Sequence, residues 1–414
     1  MHDSRAGSVY DTLLERGYIA QVSDEDGVRE LLAGTGVRFY IGFDPTADSL
    51  HVGHFIQMMV MAHLQRAGHV PIALMGCGTA MVGDPSGRTD LRQMLTLETI
   101  THNAERFREQ MRILLDFTDD RALMVNNADW LLDLNYVDFL RDIGVHFSVN
   151  RMLAAEAYRQ RMEKGLTFLE FNYMLMQAYD FLELHRRYGV RLQLGGDDQW
   201  SNILAGADLI RRKEQTEAYA LTIKLLTTSE GIKMGKTARG ALWLDPEKCP
   251  VFDFYQYWRN IDDADVINSL RLVTFVPMEE IRGWEHLTGS QLNPVKERLA
   301  WEVTAIVHGR EAADSARQQA RALFAGPGEA SDMPETLLSA AELEAGVGLL
   351  ELLERSGLSP SRSAARRLVR QGGVRLDDEV VHDEALVLTA ADFADGHRIL
   401  RAGKKRFHRL RPTD

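Results

Sequence analysis

Two histidines three residues apart, in the run His51-Val52-Gly53-His54, open an apolar stretch with helical periodicity. Side chains at i and i+3 share one face of a helix, and the first-turn N–H groups have no intrahelical partner and attract anions. Two imidazoles at that place suit a polyphosphate. Just upstream, Asp44-Pro45-Thr46 adds a turn and a hydroxyl, so strand end, hydroxyl and helix start converge on one small volume. A metal pair is the rival reading of His51 and His54. It is disfavoured because no third histidine, cysteine or paired carboxylate sits at ligand spacing, and no protein-bound metal is expected.

A second cluster, Lys233-Met-Gly-Lys236-Thr237, lies between two strand-like runs, Ala220 to Leu226 and Ala241 to Leu244. Two lysines and a hydroxyl on a flexible loop can close over a triphosphate and neutralise charge moving toward a leaving pyrophosphate. A plain surface loop is the alternative, and a Walker motif is excluded because GxxxxGK[ST] is absent. The third cluster is a stripe. The helical run from Phe168 to Arg187 is apolar almost all round, yet carries Tyr173, Gln177 and Asp180 at i, i+4 and i+7. Such a stripe must be satisfied by a neighbouring core group or by a ligand with donors and acceptors, and three in a row favour a ligand.

The elements that must position these residues alternate. Arg38 to Phe43, Pro71 to Met75, Ala122 to Val125 and Val190 to Leu194 read as strands; Val52 to Gln65, Glu98 to Leu115 and Phe168 to Arg187 read as helices. The expectation is an α/β fold with a doubly wound, Rossmann-like parallel sheet, whose ligands sit beyond the carboxyl ends of the strands. The chemically unusual turns fall there: Asp44-Pro-Thr46, Gly83-Asp-Pro-Ser-Gly87 and Gly195-Gly-Asp-Asp-Gln199.

A chain of 414 residues exceeds one ordinary core, so two or three domains are expected. The divisions read from pattern are a catalytic α/β domain over 1–248, a helical domain over 249–325, a Gly/Pro-rich linker over 326–336 and a small domain over 337–414. The net charge of −12 argues against a protein that coats nucleic acid or an anionic membrane with its whole surface, so any such contact is local. Cys77 and Cys249 form no CxxC pair, which fits a reducing compartment, expected to be the cytoplasm. No basic-then-apolar leader precedes Ser8, and the apolar run near Val70 to Val82 is broken by Pro and Gly. Neither secretion nor a membrane span is expected.

The last domain has its own composition. Arg362, Arg366, Arg367 and Arg370 recur at near-helical spacing with no acid between Ser359 and Leu376, and Arg398 to Arg411 holds seven Lys or Arg and no acid. Two basic stretches in an otherwise acidic chain read as an RNA contact, against the plainer alternative of a solvated charged face.

Tyr40-Ile-Gly-Phe-Asp-Pro-Thr-Ala-Asp-Ser-Leu-His-Val-Gly-His54 resembles the region around the HIGH signature of class I aminoacyl-tRNA synthetases, and Lys233-Met-Gly-Lys-Thr237 their KMSKS loop. Gly83-Asp-Pro-Ser-Gly87, Tyr173-Met-Leu-Met-Gln-Ala-Tyr-Asp180 and Gly195-Gly-Asp-Asp-Gln-Trp200 resemble the bacterial tyrosyl-tRNA synthetases in particular. Ser361-Arg-Ser-Ala-Ala-Arg-Arg-Leu-Val-Arg-Gln-Gly-Gly-Val374 resembles a small α+β RNA-binding fold shared with a ribosomal small-subunit protein. The resemblance runs nearly end to end.

It implies a tyrosine pocket with Tyr40 and Asp180 at the phenol, Asp84, Tyr173 and Gln177 around the ammonium, and Gln199 near the tyrosyl group. ATP falls to Asp44, Gly53, Gly196, Asp198 and Lys236; the catalytic set is Thr46, His51, His54, Lys233, Lys236 and Thr237; tRNA falls to Arg88, Arg92, Arg362, Arg366, Arg367 and Arg370. Three departures stand out. The signature reads His-Val-Gly-His, Gly235 replaces the first serine of the loop, and Ile41 stands where some relatives carry a cysteine.

The implied reaction has two steps: tyrosine and ATP form tyrosyl-adenylate, with Mg2+ carried by the ATP phosphates, and tRNA(Tyr) then takes the tyrosyl group. The carboxylate is already ionised at neutral pH, so activation needs alignment and charge stabilisation but no general base. The resemblance also implies a homodimer. The alternatives are a synthetase-like RNA-binding protein without charging activity and, among enzymes, a relative using another aromatic amino acid or a small-molecule nucleotidyltransferase of similar fold, which the basic C-terminal domain disfavours. Asp180 discriminates against an indole, which has no hydroxyl to meet it.

Overall fold

The computed structural model describes residues 7–84, 86, 95–162, 165–237, 240–324, 335–377, 379–393, 396–403 and 406–413. The chain forms two compact units, Met1–Asp314 and Ser315–Asp414.

In the first unit, β1 (Ile19–Val22), β2 (Arg38–Phe43), β3 (Val70–Met75), β4 (Leu123–Asn126), β5 (Leu192–Gly196) and β6 (Tyr219–Ile223) make one sheet in the order β1-β6-β5-β2-β3-β4. β2 to β6 run parallel, and β1 closes the edge antiparallel to β6. This is the doubly wound arrangement expected. The strand order reverses between β2 and β5, which opens a crevice beyond their carboxyl ends. There Tyr40 lies in register with Gln193 on the neighbouring strand.

Four helices carry or support the crevice: α1 (Val52–Arg66), α2 (Leu97–Met111), α3 (Tyr173–Tyr188) and α4 (Trp200–Glu214). α1 buries Val52, Phe55, Ile56, Met58, Met59, Val60, Met61, Ala62 and Leu64, nearly its whole circumference, as a helix enclosed on all sides must. The stretch read as one helix from Phe168 is two. Thr167 and Glu170 form a capping box for Phe168–Phe171, and α3 restarts after Asn172. At the break the Tyr158 hydroxyl accepts the Met174 N–H (3.3 Å) and donates to the Phe171 carbonyl (2.8 Å), covering backbone groups that the interruption releases.

Past residue 250 the unit is helical, with Val251–Arg259, Asp263–Val273, Met278–Trp284 and Asn293–His308. Buried Arg16 donates to the carbonyls of Arg271 (2.8 Å), Thr274 (2.8 Å) and Val276 (2.5 Å), and the Tyr18 hydroxyl donates to Leu272 O at 2.8 Å. These bonds satisfy carbonyls at and just past the end of helix Asp263–Val273 and fasten the N-terminal arm to the helical part. Among the described residues no helix is long and apolar enough to cross a membrane.

The second unit is α+β. Glu335–Leu338, Val374–Leu376, Glu379–Val380, Arg398–Ala402 and Arg406–Pro412 form a five-stranded sheet. Leu349, Leu352, Leu353, Ala365 and Val369 from two helices share a core with Leu338, Val374, Leu400, Ala402 and Leu410 from the strands. The basic run after Arg398 is therefore two neighbouring antiparallel strands.

Candidate active site

A cleft of about 1100 Å³ opens at the carboxyl ends of the strands. Each element named above delivers part of its lining. β2 and the turn after it bring Tyr40, Asp44 and Thr46; the start of α1 brings His51, Gly53 and His54; α3 brings Tyr173, Gln177 and Asp180. The end of β5 and the turn after it bring Gly196, Asp198 and Gln199, and two loops bring Asp84 and Lys233.

At the closed end, Asp180 is buried and accepts the Trp130 indole N–H on one oxygen (2.8 Å) and the Asn127 amide on the other (2.9 Å). Burial dominates those donors and pushes its carboxyl up to about 8. The Tyr40 ring packs edge-on against Phe181, with centroids 5.3 Å apart. Its hydroxyl is raised well above the usual phenol range, first by burial and then by the charge of Asp180. That hydroxyl has no hydrogen-bond partner among the described residues, and neither has Oε1 of Gln177 or Oε1 of Gln193. Three buried polar atoms without partners among the described residues, all from residues that line the cleft, suit a polar ligand.

A chain of bonds leads outward from Asp180. Asn127 also donates to Thr79 Oγ1 (3.0 Å), Thr79 donates to Asp44 (2.8 Å), and the Tyr173 hydroxyl donates to the other Asp44 oxygen (3.0 Å). On the facing side, the Gln199 amide donates to Asp84 at 2.6 Å, and Asn202 bridges Gln199 Oε1 (3.1 Å) and Ser86 Oγ (3.3 Å). Asp198 is raised by burial, with Asp84 pushing the same way and Lys233 pulling it back. Asp197 accepts from Gln21 (2.7 Å) and Thr222 (2.8 Å), which fixes the turn that presents Asp198.

The other end of the cleft is built for anions. His51 is the N-cap of α1, its Nδ1 accepting the Gly53 N–H at 3.0 Å, while His54 Nδ1 accepts the His51 N–H at 3.3 Å. Both Nδ1 atoms are acceptors, so in the neutral rings the protons lie on Nε2. The rings stack with centroids 4.0 Å apart. The signature glycine has a steric cause here: a Cβ at position 53 would fall 2.7 Å from His51 Cε1. Lys233 stands exposed at the rim. The cleft thus joins a carboxylate-rich end, able to hold an ammonium, to an imidazole and lysine end able to hold phosphates.

Other expected residues lie elsewhere. Arg88 and Arg92, and the side chains of Lys236 and Thr237, lie outside the described residues; the backbone of Lys236–Thr237 pairs with Gly240–Ala241. Arg362, Arg366, Arg367 and Arg370 are exposed on one helix of the second unit. Arg362 pairs with Glu351 and Glu354, and Arg366 and Arg370 pair with Glu384. Sequence reading missed Thr79, Asn127, Trp130 and Gln193. Single polar or aromatic residues on short elements carry no pattern, and only the three-dimensional pairing with Asp44, Asp180 and Tyr40 singles them out. Among the described residues no group of three or more His, Cys, Asp or Glu is placed to hold a metal ion.

Comparison with known proteins covers nearly the whole chain. The family model described as tRNA synthetases class I (W and Y) matches residues 33–325, and the one described as the tyrosine--tRNA ligase SYY-like C-terminal domain matches 328–410. A tyrosine--tRNA ligase of Acetivibrio thermocellus is 58% identical over 404 residues, 98% of this chain and 99% of that protein. One of Clostridium kluyveri is 57% identical over 403 residues, covering 97% and 99%. Among solved structures, a C-terminally truncated mitochondrial tyrosyl-tRNA synthetase of Aspergillus nidulans aligns with a TM-score of 0.69 at 29% identity, over 78% of this chain and 95% of that one. The fold also matches a tyrosyl-tRNA synthetase of Archaeoglobus fulgidus complexed with L-tyrosine, at a TM-score of 0.57 and 18% identity over 75% of this chain and 99% of that one. With a synthetase body and a ligase-type C-terminal domain matched in turn, the chain belongs to the tyrosine--tRNA ligases of the class I tRNA synthetase family.

Proposed function

We propose that this protein activates tyrosine with ATP, forming tyrosyl-adenylate and pyrophosphate, and transfers the tyrosyl group to the 3′ end of tRNA(Tyr). The carrying observation is the buried, unpartnered Tyr40 hydroxyl in the same cleft as Asp180. A phenol placed between the two would bond both, and a ring without a hydroxyl would leave the Tyr40 hydroxyl unpaired. The ammonium goes to Asp84, Tyr173 and the unpartnered Oε1 of Gln177, with Gln199 beside the tyrosyl group. Asp44, Gly53, Gly196, Asp198 and Lys236 hold ATP, and Thr46, His51, His54, Lys233, Lys236 and Thr237 act on its phosphates.

The two Nε2–H donors and the lysines bind best when charge has moved onto the departing pyrophosphate, which lowers the barrier rather than merely tightening the complex. Mg2+ enters as part of the ATP substrate and neutralises phosphate charge. Arg88 and Arg92, with Arg362, Arg366, Arg367 and Arg370 of the second unit, contact tRNA.

The protein works in the cytoplasm as a homodimer. Between residues 136 and 169, Tyr136, Val137, Val145, Val149, Phe168 and Leu169 are exposed, Val145 by 71% and Phe168 by 68%. An apolar surface of that kind favours a covered face. Light scattering should give twice the chain mass, and Val145→Glu should lower it. ATP–pyrophosphate exchange across a panel of amino acids tests the activity: tyrosine should drive it far better than phenylalanine or tryptophan. Equal rates with phenylalanine would remove the pocket assignment.

A further inference from the structure

The loop bearing Lys233 is held from outside the sheet. Residues 227–233 form a small hairpin in which Thr228 N–H donates to Ile232 O (2.8 Å), Gly231 N–H donates to Thr228 O (2.9 Å), and Thr227 bridges Lys233. These bonds set the hairpin's shape, and its stems tie back through Met234 N–H to Leu226 O (2.8 Å) and Leu242 N–H to Gly235 O (2.6 Å). Two more backbone donors on either side of Lys233 reach side chains of the helical part. Ser229 N–H donates to Asp265 Oδ1 at 2.6 Å, and Gly235 N–H donates to the Tyr257 hydroxyl at 2.8 Å.

Both acceptors are well supported. Asp265 is buried in the first turn of helix Asp263–Val273, where the helix dipole favours a carboxylate. Tyr257 sits in helix Val251–Arg259, half-buried beside the fully buried Trp258. Neither residue lines the cleft. Their partners are backbone N–H groups, so the contact holds the loop's position whatever its side chains do.

We propose that Asp265 and Tyr257 are positioning residues, a two-point latch by which the helical part holds the Lys233–Lys236 loop over the cleft. The latch rests on the adenylate-forming reading above. A loop held in register has its lysines aligned before ATP arrives, and alignment lost to a loose support is lost from the rate. Adenylate formation in this chain is therefore mechanically linked to the helices that follow residue 250.

Tyr257→Phe keeps the ring and removes the acceptor; Asp265→Ala removes the carboxylate, and Asp265→Asn keeps an oxygen at the same reach. Tyr257→Phe and Asp265→Ala should each slow single-turnover tyrosyl-adenylate formation about fivefold, the worth of one ordinary hydrogen bond. Tyrosine affinity, measured by equilibrium dialysis, should not change, and Asp265→Asn should recover the rate. Trypsin should cut after Lys233 or Lys236 faster in the two damaged variants than in the wild-type chain. Wild-type rates in both variants, a matching loss of tyrosine affinity, or no recovery in Asp265→Asn would overturn the latch. A wild-type chain without tyrosine-dependent exchange would instead overturn the functional reading, and the trypsin comparison would still decide the latch.

Discussion

The indole N–H of Trp130 donates to Asp180 at 2.8 Å, from a short helix after β4 whose N-cap residue, Asn127, donates to the other carboxylate oxygen. This bond favours the charged form of a group that burial drives toward neutrality. Trp130→Phe keeps an aromatic ring and deletes the donor, so the Asp180 carboxyl should rise further. An ionised Asp180 accepts a phenol better than a neutral one. Tyrosine affinity at pH 7 should therefore weaken about tenfold, the lower range for a hydrogen bond to a charged group. Equilibrium dialysis checks it, and unchanged affinity would show that Asn127 alone suffices to hold the carboxylate.

Asp180 also gives the free protein a pH-dependent stability. Its folded-state value of about 8 lies above the ordinary 3.8, so between those limits the folded chain holds a proton that the unfolded chain has released. Raising the pH through that window favours unfolding, by up to ~1.4 kcal/mol per pH unit for one proton. Asp180→Asn removes the titration. Relative to that variant, the wild-type melting temperature should fall from pH 5 to pH 8 and level off above. A difference that stays constant across the range would mean the carboxylate is ionised throughout.

Gly235, where the resembling loop motif has serine, has a positive φ of 81°, and a Cβ there would fall 2.2 Å from Val52 Cγ2. Val52 is itself fully packed. Gly235→Ala should therefore displace the lysine loop from α1, with roughly 1–2 kcal/mol from the left-handed backbone alone. Adenylate formation should slow. Adding Val52→Ala should return the steric part and not the backbone part, so the double variant should be faster than additivity predicts. Strict additivity in single-turnover rates would mean the two residues do not meet in the working enzyme.

Sequence and structure diverge in an instructive way. The parallel strands, α1 and the chemically unusual turns were legible because apolar runs and Gly/Pro/Asp clusters are local signals. β1 was not, because Ile-Ala-Gln-Val is too short and mixed to stand out, and it exists through pairing with β6. The break at Asn172 was readable in principle, since Thr167 and Glu170 are spaced as a capping box. Thr79, Asn127 and Trp130 were not, because their meaning is a pairing with Asp44 and Asp180 across 35, 53 and 50 residues. The acid-free window around Arg366 shows the same limit, for the fold brings Glu384 to it from outside.

His54 caps the His51 N–H through Nδ1, which puts the proton of the neutral ring on Nε2. His54→Ala should cost roughly 10²–10³ in the rate of adenylate formation, typical for one donor aimed at developing charge. Tyrosine binding should change little, because the interaction strengthens only as charge leaves the α-phosphate. Lys233→Ala should behave alike. Single-turnover rates beside separately measured tyrosine affinities distinguish this from a ground-state role, in which affinity would fall as much as rate.

The second unit has a core of its own, built from Leu338, Leu349, Leu352, Val369, Leu400 and Leu410 among others. A chain ending near Ala330, within the Gly/Pro-rich stretch read as a linker, should therefore fold, as C-terminally truncated fungal mitochondrial relatives do. It should still make tyrosyl-adenylate, because every described cleft residue lies at or before Trp243. Transfer to tRNA should suffer. Arg367 and the arginines of strands Arg398–Ala402 and Arg406–Pro412 would be gone, together with Arg362, Arg366 and Arg370, which must trade Glu351, Glu354 and Glu384 for phosphate. That exchange predicts a specific salt signature. Phosphate contacts release counterions, so the full chain's tRNA affinity should fall more steeply with salt than the truncated chain's. Glu384→Gln should raise affinity at low salt by freeing Arg366 and Arg370 from their competitor. Equal charging and equal salt slopes in the two chains would assign tRNA binding wholly to the first unit.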